Sequence, residues 1–154
     1  MVQIVLIRPG STDYDEQGRI QGTLDIPLSE QGTREVERVI EEIRNLGIEA
    51  IYCCPCQSAC QSATTIAEAL GLKVKKLDTL RNIDHGLWQG MLIDDVKRKQ
   101  PKVFRQWQEQ PGIICPPEGE SLRVHVEVVA LTRRVRAGGA RAGDDERRTL
   151  FVGR

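Results

Sequence analysis

The chain has 154 residues, a length typical of one domain, and its 22 basic and 22 acidic residues leave no net charge. A balanced charge does not attract nucleic acid or an anionic membrane surface, so we expect neither as a partner. No apolar run approaches the roughly 18 residues of a membrane-spanning helix, and the N-terminus lacks the features of a signal peptide. We therefore expect one cytoplasmic domain over residues 1–154.

The first half of the chain alternates apolar runs with amphipathic segments, a pattern typical of a parallel α/β sheet. The predicted strands cover residues 2–7, residues 48–53 and, more weakly, residues 72–77. The first is almost entirely apolar, which predicts a strand covered on both faces. The first helix begins at Ser29 as its N-cap and stops at Gly47. The second has Pro55 in its first turn and ends at Gly71.

The second half of the chain is less regular, because its apolar periodicity is interrupted by prolines and glycines. The predicted elements are a loop over residues 80–90, short helices over residues 92–100 and 102–108, a helix capped by Ser121 that carries His125, and a strand over residues 149–152. The basic, glycine-rich segment before the last strand is interpreted as a solvated loop.

Arg8 is the first charged residue of the chain, and it stands where the first strand ends. Ligands of open α/β sheets collect outside the carboxyl ends of the strands. A guanidinium group matches the geometry of phosphate or carboxylate, so Arg8 is a candidate anion-binding residue. The alternative is an arginine exposed in a turn.

Several motifs follow this strand in a fixed order. Residues 5–12 read Val-Leu-Ile-Arg-Pro-Gly-Ser-Thr, residues 18–22 read Gly-Arg-Ile-Gln-Gly, and residues 25–29 read Asp-Ile-Pro-Leu-Ser. They resemble the opening of the histidine phosphatase superfamily, also called phosphoglycerate mutase-like. The resemblance continues over residues 52–63, 80–90 and 117–121. It implies a three-layer α/β sandwich with a mostly parallel central sheet and helices on both faces.

The resemblance also identifies positions at which this chain departs from the family. Active members transfer a phosphoryl group to a histidine, and that position is Pro9 here. The phosphate-contacting asparagine corresponds to Asp15, the second arginine to Ser58, and the proton-donating acid to Asn82. The second histidine corresponds to Arg154, in a C-terminal end that looks truncated or divergent. The resemblance therefore implies a degenerate catalytic site with no confirmed catalytic residue.

A phosphate pocket is nevertheless expected at the carboxyl end of the sheet. The candidate residues are Arg8, Gly10, Thr12, Asp15, Gln21, Gly22, Ser58, His85 and Arg154. A carboxylate close to an arginine pairs with it and competes with phosphate, so Asp15 is expected to weaken anion binding at Arg8. The alternative is that Asp15 points into solvent.

The cysteines are odd in number and mostly clustered, which argues against the disulfide framework of a secreted protein. The cluster comprises Cys53, Cys54, Cys56 and Cys60. A cysteine phosphatase needs an arginine six residues after its nucleophile, and no cysteine of the chain has one. These cysteines lack the paired spacing of a zinc ribbon. We therefore expect small, packed thiols and no bound metal.

The leading hypothesis is therefore a pseudoenzyme that binds a small phosphorylated ligand or another protein and uses no cofactor. The alternative is an active phosphatase or phosphoglycerate mutase-type enzyme with an unusual mechanism, in which His85 or a cysteine would participate. A third hypothesis is a truncated remnant whose incomplete sheet edge favours self-association.

Overall fold

The computed structural model of the chain describes residues 3–121 and 148–152. Its sheet contains β1 (Gln3–Ile7), β2 (Ile48–Cys53), β3 (Val74–Lys76) and β4 (Arg148–Val152), in the spatial order β1-β4-β2-β3. All three strand pairings are parallel. Val152 lies opposite both Ile7 and Cys53, so the segments that follow β1 and β2 leave the sheet at the same edge. This arrangement confirms the predicted α/β class.

Helices connect the strands and extend beyond β3. They are α1 (Asp13–Glu16), α2 (Glu30–Ile43), α3 (Gln57–Leu70), α4 (Ile93–Lys99) and α5 (Pro101–Glu109), with 3₁₀ turns at Asp78–Leu80 and Gly86–Trp88. Ser29 caps α2 as predicted, because its Oγ accepts the N–H of Gly32 at 3.0 Å. Gly71 ends α3 in the left-handed conformation, as expected of a glycine at that position.

Two apolar clusters hold these elements together. The larger lies where α2 and α3 pack with the sheet, around Val36, Ile51 and Ile66. The smaller lies around Trp88, Val96 and Phe104, where α4 and α5 meet the segment after β3. Trp88 is fully buried and donates its indole N–H to Gln100 Oε1 at 2.9 Å. The second cluster therefore forms a small separate core that positions the loop before it.

Three sequence-based expectations differ from the structure. The strand over residues 2–7 was expected to be covered on both faces, but Ile4 and Leu6 of β1 are 43% and 79% exposed. Side chains alternate along a strand, and in the part of the chain that the structure describes, Val5 and Ile7 on the opposite face of β1 pack on the larger core. Pro55 precedes the N-cap Cys56 and lies outside α3. Helix α2 ends at Ile43, before Gly47, which adopts a positive φ in the following turn.

Some expectations fall outside the described residues. The helix after Ser121, His125 and Arg154 are among them. The last strand is present and begins one residue earlier than expected, at Arg148. That residues 1–154 form one domain stays a prediction.

Candidate functional site

The loop after β1, which we call the first loop, covers residues 8–22 and begins with an ion pair. Arg8 Nη2 lies 3.2 Å from Asp15 Oδ1, and the two side chains are 72% and 18% exposed. Arg8 therefore reaches into solvent, whereas the carboxylate that neutralises it is largely buried. This is the pairing that the sequence predicts for a self-neutralised anion site.

A short network fixes the carboxylate of Asp15. The backbone N–H of Thr12 donates to Asp15 Oδ2 at 2.8 Å, and the N–H of Asp15 donates to Thr12 Oγ1 at 3.3 Å, which together form a capping box at α1. Thr12 is fully buried, and its Oγ1 also lies 3.1 Å from Gln21 Oε1. Asp15 thus has a defined position at the base of the first loop.

The position of the family nucleophile lies in a closely packed part of this loop. Pro9 is buried, and it has neither a nucleophilic side-chain atom nor a backbone N–H. A Cβ atom on the next residue, Gly10, would lie 2.2 Å from the carbonyl oxygen of Gly32. The N–H of Gly10 donates to the buried Ser62 Oγ of α3 at 3.1 Å. The backbone at Pro9 is therefore held between α2 and α3.

Glu35 of α2 was not identified from the sequence, because its position on the helix resembles an ordinary solvated face. It accepts hydrogen bonds from Ser11 N at 2.9 Å and Ser11 Oγ at 2.8 Å. Partial burial raises the pKa of Glu35, but hydrogen bonds from Gln31 and Ser11 outweigh it and hold the pKa below its ordinary value. Glu35 and Arg8 both line a cavity of about 250 Å³ beside Pro9.

The connection from β2 to α3, which we call the second loop, covers residues 53–58, with the last residue of β2 and the first two of α3 included, and it carries three thiols and one hydroxyl. Ser58, at the position of the second family arginine, is fully buried at the start of α3. Its Oγ lies 3.9 Å from Cys56 Sγ, and its carbonyl accepts the hydroxyl of Ser62 at 2.8 Å. Asp25 Oδ1 accepts the N–H of Gln57 at 2.6 Å and so stabilises the N-terminus of α3.

A larger cavity of about 550 Å³ lies between the first loop, α4 and α5. Gln21, Gly22, Asn82 and His85 line it together with mainly apolar side chains. Asn82 is only 7% exposed, and its Nδ2 donates to the carbonyl of Gly22 at 3.0 Å. Within the described residues, Asn82 Oδ1 and His85 Nδ1 are buried and make no hydrogen bond.

His85 contacts Trp107 edge to face, with ring centroids 5.7 Å apart. Burial lowers the pKa of His85 below its ordinary value, although Asp84 opposes this effect. The imidazole is therefore neutral at pH 7. A neutral imidazole retains the lone pair that nucleophilic or general-base chemistry requires.

An ion pair between Arg81 and Glu120 was also missed, although both residues belong to motifs that carry the family resemblance. Arg81 Nη1 donates to Glu120 Oε2 at 2.9 Å, and Arg81 Nη2 contacts the other carboxylate oxygen. The N–H of Asp84 donates to the same carboxylate at 3.2 Å. Arg81 and Asn82 line a third cavity of about 210 Å³, together with Thr23, Asp25, Pro55 and Cys56.

The sequence-predicted pocket residues therefore separate into neighbouring groups. Arg8 and Gly10 line the cavity next to Glu35, whereas Gln21, Gly22 and His85 line the larger cavity. Thr12 and Asp15 connect the two through their hydrogen bonds with Gln21 and Arg8. Ser58 lies next to Cys56, with its Oγ 3.9 Å from Cys56 Sγ. Arg154 lies outside the described residues.

The structure also bears on metals and membranes. In residues 3–121 and 148–152, no group of three or more histidine, cysteine or acidic side chains could hold a metal ion. Every helix in the part of the chain that the structure describes is too short or too polar to cross a membrane.

A parallel sheet with connecting helices, and with cavities beside the loops at the carboxyl ends of its strands, defines an open α/β protein. The family model for the histidine phosphatase superfamily (branch 1) matches residues 4–145, and the chain belongs to this superfamily.

Named relatives show the breadth of this family. The chain is 38% identical over 122 residues to phosphoserine phosphatase 1 from Hydrogenobacter thermophilus, covering 79% of this chain and 58% of the relative. It is 33% identical over 122 residues to a probable phosphoglycerate mutase from Yersinia pestis, covering 79% of this chain and 57% of that protein. The chain thus spans less than two thirds of these curated relatives.

Solved structures agree with the fold. A mycobacterial glucosyl-3-phosphoglycerate phosphatase in complex with VO₃ matches with a TM-score of 0.84 and 28% identity. The match covers 97% of this chain and 74% of that one. YhfR from Bacillus stearothermophilus matches with a TM-score of 0.86 at 21% identity, over 100% of this chain and 74% of that one.

Proposed function

We propose that this chain binds a phosphorylated small molecule or protein at the carboxyl end of β1 without passing the phosphoryl group through a histidine. The observation that carries the proposal is Pro9, a buried residue with no atom that can attack phosphorus. The adjoining Arg8 is paired with Asp15 but presents 72% of its side chain to solvent, which supports weak anion binding. In this proposal, the site binds a phosphate group but does not transfer it.

The neighbouring substitutions support the same proposal. Phosphoryl transfer in this family, as the resemblance implies, also needs a second arginine and a proton-donating acid. Ser58 and Asn82 occupy those positions, and neither carries a charge or an acidic proton. Removing one member of a coupled catalytic set can already cost about 10⁶ in rate, as it does for the catalytic serine or histidine of subtilisin.

A binding measurement tests the first half of the proposal. Titration calorimetry with inorganic phosphate should give weak binding to the wild-type chain and at least tenfold weaker binding to Arg8→Gln. The matched control is Arg98→Gln, because Arg98 is also exposed and paired with a carboxylate, at Asp95 on α4. Equal losses in both variants would mean that phosphate responds to overall charge and not to the site.

The alternative is an active phosphatase or mutase with an unusual mechanism, and the named relatives support it better than they support a loss of activity. The group in this chain that suits it is His85, whose pKa is lowered by burial and which lines the 550 Å³ cavity together with Asn82. In this alternative, the neutral imidazole would accept a proton from an attacking water or take the phosphoryl group itself.

An activity measurement separates the two functions. Under the leading proposal, the wild-type chain releases p-nitrophenol from p-nitrophenyl phosphate no faster than a heat-denatured sample. Turnover that persists in Pro9→Ala and is abolished in His85→Ala would establish the alternative. His85→Gln serves as a second variant, because it retains a polar side chain of similar reach against Trp107.

Restoring the histidine provides a complementary test. Pro9→His should not accumulate an acid-labile phosphohistidine, because Ser58 and Asn82 still lack the positive charge and the acid. Adding Ser58→Arg and Asn82→Glu to Pro9→His should raise phosphohistidine formation above that of the single variant. A phosphohistidine trapped in Pro9→His alone would show that the other two positions matter little.

A further inference from the structure

Four cysteine side chains converge where β2 ends and α3 begins. Cys54 Sγ and Cys56 Sγ lie 2.8 Å apart, whereas Cys53 Sγ and Cys60 Sγ lie 3.9 Å apart. All four carry reduced thiols. A disulfide needs a sulfur–sulfur distance of about 2.05 Å, so the first pair requires much the smaller movement.

The two thiols of the closer pair differ in their surroundings. Cys56 is half-buried and is the N-cap of the 14-residue helix α3, although its side chain makes no capping hydrogen bond. The N-terminus of a helix favours a negatively charged group, so Cys56 is the better placed of the two to attack a small disulfide. Cys54 is fully buried and accepts the N–H of Cys56 at 3.4 Å. The hydrogen bond with Cys56, together with burial, raises the pKa of Cys54 well above its ordinary value.

The second pair is less suited to oxidation. Burial, reinforced by Cys60, raises the pKa of Cys53 to about 12, so this thiol remains protonated. Cys60 Sγ is directed to the carbonyl oxygens of Cys54 and Pro55, at 3.5 Å and 3.6 Å. Neither thiol of this pair combines exposure with a helix N-terminus.

We propose that Cys54 and Cys56 form a dithiol–disulfide couple that a low-molecular-weight disulfide, such as oxidised glutathione, oxidises by thiol–disulfide exchange. The Cys56 thiolate attacks one sulfur of the small disulfide, which forms a mixed disulfide on Cys56 and releases one thiolate. Cys54 then loses its proton to solvent and attacks Cys56 Sγ, which forms the internal disulfide and expels the second thiolate. Two protein thiols are oxidised and one small disulfide is reduced to two thiols.

The couple has a defined place in the molecule. Pro55 and Cys56 line the 210 Å³ cavity with Arg81 and Asn82, so oxidation changes one wall of that cavity. The ring that closes contains only residues 54–56, so it restrains little of the unfolded chain and adds little stability. In a reducing compartment such a bond forms transiently and is readily reversed. The inference is independent of whether the neighbouring pocket binds phosphate.

Mass spectrometry of the full chain tests the proposal. Trypsin cuts after Arg44 and Lys73 but nowhere between them, so one peptide carries all four cysteines. The chain is prepared with Cys115→Ser, since Cys115 is exposed and would react between molecules. It is equilibrated with mixtures of oxidised and reduced glutathione, quenched in acid and alkylated. At high ratios of oxidised to reduced glutathione, two of the four thiols should resist alkylation and the peptide should lose two hydrogens.

Matched cysteine variants identify which two sulfur atoms form the disulfide. Cys56→Ser should make every remaining thiol reactive, whereas Cys60→Ser, a change at another half-buried cysteine, should leave the protected pair intact. Cys54→Ala should stop the reaction at one glutathione on Cys56. Full alkylation of the parent chain at every glutathione ratio would overturn the proposal. The proposal would also be overturned if two thiols still resisted alkylation in Cys56→Ser but not in Cys60→Ser, because that pattern would identify Cys53 and Cys60 as the oxidised pair. Circular dichroism of each variant confirms that the comparison is between folded proteins.

Discussion

The first and second loops leave the same edge of the sheet, on either side of β4, yet they are built differently. The first loop pairs charged or strongly polar groups, with Arg8 against Asp15 and Ser11 against Glu35. The second loop replaces charge with thiols and hydroxyls, and Ser58 is buried where the family resemblance implies an arginine. The first loop is therefore ordered by charged and polar pairs, whereas the second is ordered by small buried side chains.

The difference between the two loops separates positions that shape the backbone from positions that carry reactive or charged groups. Positions that shape the backbone retain the family residue, as Gly10 does against Gly32 and Thr12 does in the capping box. Two positions to which the resemblance assigns a nucleophile and a charge carry neutral residues, Pro9 and Ser58, whereas Arg8 is retained. A fold can therefore be preserved by packing independently of the chemistry at its site, and the loss of the family chemistry in this chain stays our proposal.

The largest expected effect comes from crowding the close approach of the first loop to α2 at Gly10 and Gly32. Gly10→Ala places a methyl group 2.2 Å from the carbonyl oxygen of Gly32, and neither backbone can move freely. We expect the free energy of unfolding to fall by about 3 kcal/mol, the upper range for overpacking. Urea denaturation measures it. The control is Gly112→Ala, which meets no atom within 4 Å and should change stability little.

Local patterns in the sequence predicted much of this framework. Ser29 as a helix cap, Gly71 as a helix end and the bounds of β2 all follow from neighbouring residues. The exposure of Leu6 did not follow, because it depends on which face of β1 packs on the core. The separation of Arg8 and His85 into different cavities depends on the loops' paths, which no spacing encodes. The contact between Glu35 and Ser11 joins residues 24 apart and leaves no local signal.

A smaller effect should follow from removing the hydrogen bond that joins the first loop to α3. Ser62→Ala leaves the buried N–H of Gly10 without its acceptor, which should cost about 2 kcal/mol of unfolding free energy. Thr65→Ala is a matched control on α3, because both hydroxyls donate to the carbonyl four residues earlier. A similar loss in both variants would show that the helix bond matters and the contact with the first loop does not.

The ion pair of the first loop can be tested by its effect on anions. Asp15→Asn removes the negative charge that faces Arg8 and retains an acceptor for Thr12. We expect phosphate affinity to rise about tenfold, which corresponds to about 1.4 kcal/mol. Calorimetry at equal ionic strength measures the change, with Asp95→Asn as control because it releases Arg98 on α4. Unchanged affinity in Asp15→Asn would place the phosphate away from this carboxylate.

The smallest expected effect concerns the pH dependence of the other polar pair in the first loop. Desolvation raises the pKa of Glu35 in the folded chain, but hydrogen bonds from Gln31 and Ser11 to its carboxylate outweigh it, so the pKa is lowered overall. A lowered pKa means that the unfolded chain binds this proton first as the solution is acidified. The stability from Glu35 is therefore complete above the ordinary pKa of 4.5 and is lost as the pH falls through the lowered value. Since the carboxylate is well solvated, the loss should not exceed roughly 1 kcal/mol. Glu35→Gln should flatten the stability curve between pH 5 and about pH 3, measured by urea denaturation, because glutamine does not titrate.

Glu37→Gln, an exposed change on the same helix, should leave the slope unchanged. If the unfolding free energies of Glu35→Gln and the wild-type chain depend on pH in the same way, Ser11 does not hold this carboxylate in solution. The first loop would then lack one of the two polar pairs that distinguish it from the second loop.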